Sequence, residues 1–598
     1  MKLANHYIRL REQYPHIAEQ QPHLVHLDEL AAVLGCTHRN VVLLLKKMQS
    51  EAWLDWLPKR GRGQKSALTF YKPAEDLILS IAQDLVERKD LRGALEQLNV
   101  SSPEGSLRDS FHRWLTGYFG YSSEMQGSKR FDTLRFPLTQ SLLSLDPATT
   151  NFRTEAHLVH QLFDPLVRYN RLTQTIEPHI AHAWEVNETR TVWTFHLRKG
   201  IQFHHGRELT AADVKYTFER LERLAAGALY SWVHRQIDTV EAVDPITVSI
   251  RLSEPCELLL QYVGTNRASI VPAELCEELG DRFALAPVGT GPFKLTHLDA
   301  SMCVLDAFPA YFQGRAHLDR VELWHIPDMQ VQGSERTLES FQIIHNYRLP
   351  DEASETWQQV QQPGATCRFL TFNLLKQGPL SDPALRGAVC AALNRRKLLA
   401  RIGGDAIYTA DSFIGHGHGS TAHEAEPLAH ETARIRALLK RSAYDGQRLT
   451  LCTITHYEPD ALHVQALLQE AGFAVELKLL SVEEFKSEQR LHADLLLFSI
   501  MLDNDAELRL IDLYKSMQRH LEPAVKAQVS ARIEEALREP SSGRRSALLQ
   551  AIEAHLTAKQ VLHFLYFKRL KTIYHESVKG ISLDTLDWVQ FKNIWFKP

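Results

Sequence analysis

Four cations fall within seven positions of the stretch LPKRGRGQKSALTF (57–70): Lys59, Arg60, Arg62 and Lys65, with Gly61 and Gly63 between them. Guanidinium and ammonium groups on a glycine-hinged loop are suited to the phosphates of a nucleic acid. Such contacts hold a duplex backbone without reading its bases. They also release counterions, so salt weakens them. The rest of the chain does not share this charge. Residues 1–72 carry 11 Lys+Arg against 6 Asp+Glu, a net of +5, within a chain of formal charge −4. A basic segment on an acidic body is expected to meet a polyanion.

The residues before the loop say how it is positioned. In LDELAAVLGCTHRNVVLLLKKMQSEAWLDWL (27–57), Leu30, Ala31 and Leu34 share one face of a short helix. Gly35 ends that helix in a turn that needs a positive φ, and Thr37 stands where a second helix would be capped. Val41, Leu44 and Leu45 give the second helix its buried side. Small Ala31 lets the two helices cross closely, as in a helix-turn-helix. The second helix then presents Thr37, His38, Arg39, Asn40, Val42 and Lys46 as candidates for base edges and phosphates. WLDWL (53–57) and SALTF (66–70) read as two antiparallel strands joined by the basic loop. The expectation for 1–72 is a winged helix, mainly α with a β-hairpin wing, that binds double-stranded DNA.

Hydrophobic content of 44% and charged content of 23% are ordinary for a soluble globular protein, and 598 residues exceed what one core supports. The seven cysteines are scattered with no C-x-x-C pair, which predicts reduced thiols in the cytoplasm. The N-terminus has no apolar signal region, and runs such as VVLLL (41–45) fall far short of the ~18 residues of a membrane span. Residues 73–118 show helical spacing at Leu77, Ile81, Leu85, Leu91, Leu95 and Leu98, with Ser102 and Pro103 marking a further helix start. With the polar stretch SSEMQGSK (122–129) they form a helical linker, 73–129, which would transmit a change or supply a homodimer face. From about 130 to 598, strand-like runs such as TVWTFHL (191–197) and ITVSIRL (246–252) alternate with helical ones, predicting an α/β body.

His416, His418 and His423 cluster in IGHGHGSTAH, and His204 and His205 in FHH, but no cysteine or carboxylate pair completes a metal-ligand spacing. No metal or other cofactor is expected. The chain has no G-x-S-x-G, H-E-x-x-H, Walker or Rossmann pattern, so no enzyme activity is expected.

Three segments carry a family resemblance. They begin LDPATTNFRTEAHLVHQLFDPLVRYN (145–170), PVGTGPFKLTHLDASMCVLDAF (287–308) and RFLTFNLLKQGPLSDPALRGAVCAALN (368–394), and the first runs on through FHLRKGIQFHHGRELTAADVKYTFER. They resemble the family 5 solute-binding proteins of the oligopeptide and nickel class. Joined to a helix-turn-helix, and with LDTLDWVQFKNIWF near the C-terminus, the chain resembles the SgrR/YbaE type of bacterial transcriptional regulator. The resemblance implies a two-lobed α/β body of the periplasmic-binding-protein type (type II). Lobe one would take about 130–366 plus 565–598, and lobe two about 367–564. It also implies an activator that senses a small cytoplasmic metabolite, a sugar phosphate among the ligands in view. The alternative is a transport receptor that delivers a peptide or nickel ligand to an ABC-type permease.

Within the body, Thr210 should cap a helix with Asp213 in its first turn, after a turn at Gly206. The glycines of VGTGPF should let the chain turn tightly into a strand, with Pro292 setting the direction. By resemblance to peptide binders, Asp503 stands at a ligand-binding aspartate, although Ile500 replaces the partner tryptophan. Arg153, Tyr230 and Trp232 are further ligand candidates: an arginine can fork onto a phosphate or carboxylate, and aromatics can stack on a sugar.

Overall fold

Apolar residues at helical spacing build the N-terminal part. Helix α1 (Lys2–Gln13) buries Ala4, Tyr7, Ile8 and Leu10. Helix α2 (Leu27–Leu34) buries Leu30 and Leu34 and ends at Gly35, which takes the left-handed conformation at φ 61°. Helix α3 (His38–Ser50) buries Val41, Leu45 and Met48. Strand β1 (Pro22–Val25), which the sequence pattern does not suggest, joins β2 (Leu54–Leu57) and β3 (Ser66–Phe70) in an antiparallel sheet of order β1-β3-β2. Its register runs from Leu54 opposite Phe70 to Leu57 opposite Ala67. The Tyr7 hydroxyl reaches the carbonyls of Trp53 (3.0 Å) and Lys72 (2.7 Å), so α1 closes over the base of the hairpin.

This computed structural model describes residues 2–59, 61, 64–101, 105–138, 142, 144–150, 153–170, 173, 175–224, 229–326, 343–345, 356–361, 366–403, 407–414, 428–502, 505–568, 571–581 and 589–597. Arg60, Arg62, Ser102, Pro103, His416, His418, His423 and Asp503 lie outside the described residues, as does the side chain of Arg153.

Helices α4 (Ala74–Glu87), α5 (Leu91–Ser101) and α6 (Gly105–Thr116) follow the predicted spacing. Their apolar side chains form one core with α1–α3, and that core continues into Met302, Val304, Trp324 and Ile326 of the body. The polar stretch 122–129 is not a linker. It is the end of a hairpin between β4 (Gly120–Gln126) and β5 (Lys129–Leu138), in register from Gly120 opposite Arg135 to Gln126 opposite Lys129. The stretch reads as polar because this end of an edge strand is solvated.

After α7 (Arg153–Leu162), a small hairpin of β6 (Val167–Asn170) and β7 (Thr175–Pro178) precedes a four-stranded sheet. That sheet holds β8 (Ala181–Val186), β9 (Val192–Leu197), β10 (Ile237–Asp244) and β11 (Thr247–Leu252) in the order β10-β11-β9-β8. Helix α8 (Ala211–Arg223) begins at Thr210 with the predicted capping box to Asp213. Strands β12 (Phe293–Leu298), β13 (Met302–Ala307) and β14 (Arg320–His325) join the β4–β5 hairpin, with β14 parallel to β5, in the order β12-β13-β14-β5-β4. These two sheets are the frame of lobe one.

Lobe two is built on a six-stranded sheet. Thr366–Phe372 lies between Leu495–Met501 and Leu562–Lys568, both antiparallel to it. Leu449–Ile454 runs parallel to its neighbours Leu495–Met501 and Val475–Leu480. The chain passes between the lobes along two paired strands, Trp357–Gln361 and Lys571–His575. Its last described residues return to lobe one, where Phe591 stacks near Phe136 (5.7 Å) and Phe596 on Tyr121 (3.9 Å). The lobes also touch directly: Arg538 pairs with Glu254 at 2.7 Å, and Gln261 donates to Glu507 at 2.6 Å.

A candidate nucleic-acid interface and a solute cleft

On α3, the side opposite Val41, Leu45 and Met48 carries Arg39, Asn40, Leu43, Lys46 and Lys47, all exposed. Leu43 is 52% exposed in the middle of this polar face, and nothing in the sequence singles it out. Val42 is half-buried and flanks the face rather than belonging to it. Thr37 stands at the N-cap with extended backbone (φ −68°, ψ 153°), but its side chain makes no capping hydrogen bond. His38 is exposed and its Nε2 lies 2.7 Å from a carboxylate oxygen of Asp28 on α2. Lys59 and Lys65, at the two shoulders of the hairpin, are exposed. The Lys59 backbone N–H donates to Ser66 Oγ at 3.1 Å, which ties the shoulders together.

This module is mounted on lobe one through a buried charge. Glu322 on β14 has a side chain 1% exposed and accepts from Lys89 at 2.6 Å and from Arg135 at 3.1 Å. Both cations hold its carboxyl below the usual range although burial pushes the other way. Beside it the fully buried Trp324 packs edge-on against Tyr118 at 5.4 Å. The 73–118 helices therefore have their apolar faces committed inside this shared core.

Between the lobes lies a cavity of about 1450 Å³. Tyr230 and Trp232 are on its wall, 2% and 4% exposed. Tyr230 is a non-glycine residue at φ 63°, a conformation that costs roughly 1–3 kcal/mol unless its surroundings hold it. Lobe two supplies the hold: the Tyr230 N–H donates to Asp512 Oδ1 at 2.9 Å, and its hydroxyl donates to the Asp505 carboxylate. Burial and these carboxylates keep the phenol well above its ordinary pKa. Lys515 sits 5.6 Å from the centre of the Trp232 ring. Asp505 and Asp512 are the described carboxylates that the 495–514 segment brings to the cleft.

Among the described residues, eleven arginine and lysine side chains line the cavity against four carboxylates. This excess could not be read from the sequence, because its members are spread from Arg168 to Lys592. Burial lowers the proton affinity of Lys486, with Arg267 adding to it, and lowers that of Lys515, with Arg235 adding to it. Lys486 is solvent-accessible, but it lies inside the cleft, where the protein walls still disfavour its charge.

The VGTGPF motif acts from behind this wall. Thr290 Oγ1 donates to Asp164 Oδ2 at 2.8 Å, and Tyr311 and His179 reach the other oxygen at 3.0 and 2.7 Å. Neither Gly289 nor Gly291 has a positive φ; a Cβ on either would collide with the backbone at Gln161–Phe163. The glycines are therefore needed for close approach to α7 rather than for turning. His204 and His205 are also structural. His204 is half-buried, bonded to the backbone of Gly289 and Gly291 and pushed down to about 4 by desolvation, while His205 meets Glu274. Among the described residues no group of three His, Cys, Asp or Glu could hold a metal ion. All seven cysteines are free, and no described helix is long and apolar enough to cross a membrane.

Comparison with known proteins agrees with this architecture. Residues 175–518 match the bacterial extracellular solute-binding proteins, family 5 middle, and residues 2–115 match the sugar transport-related sRNA regulator N-terminal family. The chain is 30% identical to YhjP of Bacillus subtilis over the whole of both proteins. It is 28% identical to the HTH-type transcriptional regulator SgrR of Yersinia pseudotuberculosis, over all of this chain and 99% of that one. In fold it is similar to the periplasmic binding protein DppA of Helicobacter pylori in complex with the peptide STSA (TM-score 0.65, 21% identity, 78% of this chain and 98% of that one). NikA of Brucella suis is equally similar (TM-score 0.65, 21% identity, 78% and 100%). A module of three helices and a small sheet, fused to a two-lobed body that encloses a cleft, places this chain in the SgrR-type family, whose members join that N-terminal domain to a family 5 solute-binding domain.

Proposed function

We propose that the protein is a one-component transcription regulator of the cytoplasm, an activator, in which residues 1–72 act as a winged helix on double-stranded DNA. The body takes a small metabolite in its cleft. The observation that carries this reading is the pairing of an exposed, cation-bearing α3 with a basic hairpin that follows it directly. Arg39 and Asn40 would reach base edges, and Lys46, Lys59, Arg60, Arg62 and Lys65 phosphates. The whole-length likeness to SgrR regulators supports the same assignment.

The ligand would work through the lobes. Because α4–α6 share their core with both the DNA module and lobe one, the module moves with lobe one, and the residues of 73–119 form a mount rather than a flexible linker. A ligand that favours the closed arrangement then biases how the module meets DNA. A coupling of ~1–3 kcal/mol would change operator affinity roughly 5–150-fold.

The test is selection of genomic fragments by the full-length protein, with and without candidate metabolites, followed by gel shift on the selected site. A specific site whose affinity responds to a metabolite supports the reading; no retention of any fragment at low salt overturns it. The rival is a transport receptor, favoured by the solved proteins that share the fold. Cell fractionation separates the two, since recovery outside the cytoplasm would defeat the regulator.

A further inference from the structure

The rotation of helix α3 is fixed from below. Val41, Leu45 and Met48 are fully buried, and about 3.6 residues per turn place Leu43 about 200° round the helix from both Val41 and Leu45. Leu43 therefore faces away from the core, and it is 52% exposed. Its neighbours one turn away, at i±3 and i±4, are Arg39, Asn40, Lys46 and Lys47, all exposed. The same spacing puts Arg39 and Lys46 on one side of the leucine and Asn40 and Lys47 on the other. A single leucine in solvent is ordinary, and Leu285, Leu375 and Leu462 on the body are each about half exposed. Leu43 differs from these in its company, because it is the apolar centre of a face that is otherwise cationic or polar.

The ends of this face are engaged within the protein. His38 pairs with Asp28, and the Gln49 side chain donates to Asp55. The middle is turned to solvent. Leu43 is the sixth residue of α3, within the first turns from which a recognition helix reaches base edges. A phosphate offers nothing to an aliphatic side chain. In the major groove the base edges present hydrogen-bond donors and acceptors, and thymine adds one apolar group, its 5-methyl. Cations on both sides of Leu43 would be drawn to the phosphates along the two edges of the groove. That would carry the leucine to the groove floor, where a methyl group is the partner that lets it leave water.

We infer that Leu43 reads the 5-methyl group of a thymine in the major groove of the operator, and so sets part of the sequence preference by apolar contact rather than by hydrogen bonding. The inference rests on residues 1–72 binding DNA through α3, and deepens that reading. Covering one methyl group is worth about a fourfold gain in affinity. The surrounding cations add affinity for any sequence, while the leucine adds it only where a thymine stands. A second copy of this chain is the other apolar partner Leu43 could meet. The cations disfavour it, because two such faces would bring like charges together.

The test uses the full-length protein and synthetic duplexes of a site that it selects, with each thymine replaced in turn by deoxyuridine. The exchange removes the methyl group and keeps every hydrogen-bonding atom. At one thymine it should cost about fourfold in affinity. In Leu43→Ala and Leu43→Gln this penalty should vanish, and the salt slope should stay, since no charge is lost. Leu43→Met should keep the penalty, because a long apolar side chain still reaches the methyl. Leu24→Ala removes a leucine of similar exposure (57%) on strand β1 and should also leave the penalty in place. Ala, Gln and Met are good helix formers, so α3 should persist and the melts stay unchanged. A penalty that persists in Leu43→Ala overturns the inference. So does a specifically bound site in which no thymine is sensitive to the exchange, and in both cases DNA binding stands. Self-association that Leu43→Ala abolishes, read by light scattering, would assign the leucine to a second copy and overturn the inference too. No specific DNA binding by the unaltered protein would remove both the inference and the reading beneath it.

Discussion

The protein gathers cations in two places and treats them oppositely. On the N-terminal module, Arg39, Lys46, Lys59 and Lys65 stand in solvent. In the cleft, Arg267, Arg368 and Arg490 are each under 10% exposed; backbone carbonyls hold Arg267 and Arg490, and Asp460 pairs with Arg368 at 2.6 Å. Exposed cations cost little to fold and are screened by salt, so they gain affinity only by collecting many phosphates at once. Buried cations are expensive, so few are kept, and each must be held by oriented oxygens or a carboxylate through a low-dielectric path. On the proposed reading the same side-chain types would serve a polymer in one region and a small molecule in the other, and burial would decide which.

The largest expected effect lies in acid. His204, His234 and His563 are pushed down to about 4 and His520 to about 3, all mainly by burial. The unfolded chain takes up protons near pH 6.5 and the folded one does not until about pH 4. Stability is therefore complete above about 6.5 and falls as pH drops toward 4, by on the order of 1 kcal/mol per histidine per pH unit. Melts at stepped pH should show the body failing across this window. A flat profile from pH 7 to 5 would mean that these imidazoles are not kept neutral.

Removing one member of the buried group that joins the two regions comes next. Glu322→Ala should cost about 3–5 kcal/mol in chemical denaturation, because Lys89 and Arg135 lose their shared partner. Hydrogen exchange should then show α4–α6 loosening first. If they stay protected, the apolar core around Trp324 alone fixes the mount.

Salt separates the two cation sets. DNA affinity should fall about 10²–10³-fold between about 50 and 200 mM salt for roughly five phosphate contacts, while the stability of the body, whose cleft cations are buried, changes little over the same range. Arg60→Ala with Arg62→Ala should weaken binding to every sequence and lower the salt slope by about 2. Equal salt sensitivity at both sites would erase the distinction between them. The smallest effect is on sequence preference: Arg39→Ala should cost about 1–3 kcal/mol at a preferred site and little elsewhere. Binding-site selection with the variant would expose an unchanged preference.

Much of the fold is legible in the sequence because the relevant signals are local. The α2–Gly35–α3 pattern, the two strands framing the basic loop and the Thr210 box each depend on residues within a few positions of one another. Strand β1 escapes such reading because four residues, PHLV, with one buried position carry no periodicity. The 122–129 hairpin end resembles a linker because polarity at a solvated sheet edge looks the same as polarity in a loop. In VGTGPF the glycines stand out, but what they do does not. Their need for space is set by Gln161–Phe163, more than a hundred residues earlier in the chain.

The sequence alone determined that a basic helix-turn-helix precedes an α/β body, because charge and apolar spacing along one helix or strand are properties of neighbours in the chain. Only the tertiary structure decided that Arg267, Lys486, Arg490 and Arg509 face one cavity, and that Glu322 ties the first module to lobe one. An arginine in a sequence carries the same charge wherever it stands. Its counter-ions and its exposure to water are set by segments that folding brings together, and those decide whether its charge is free to bind.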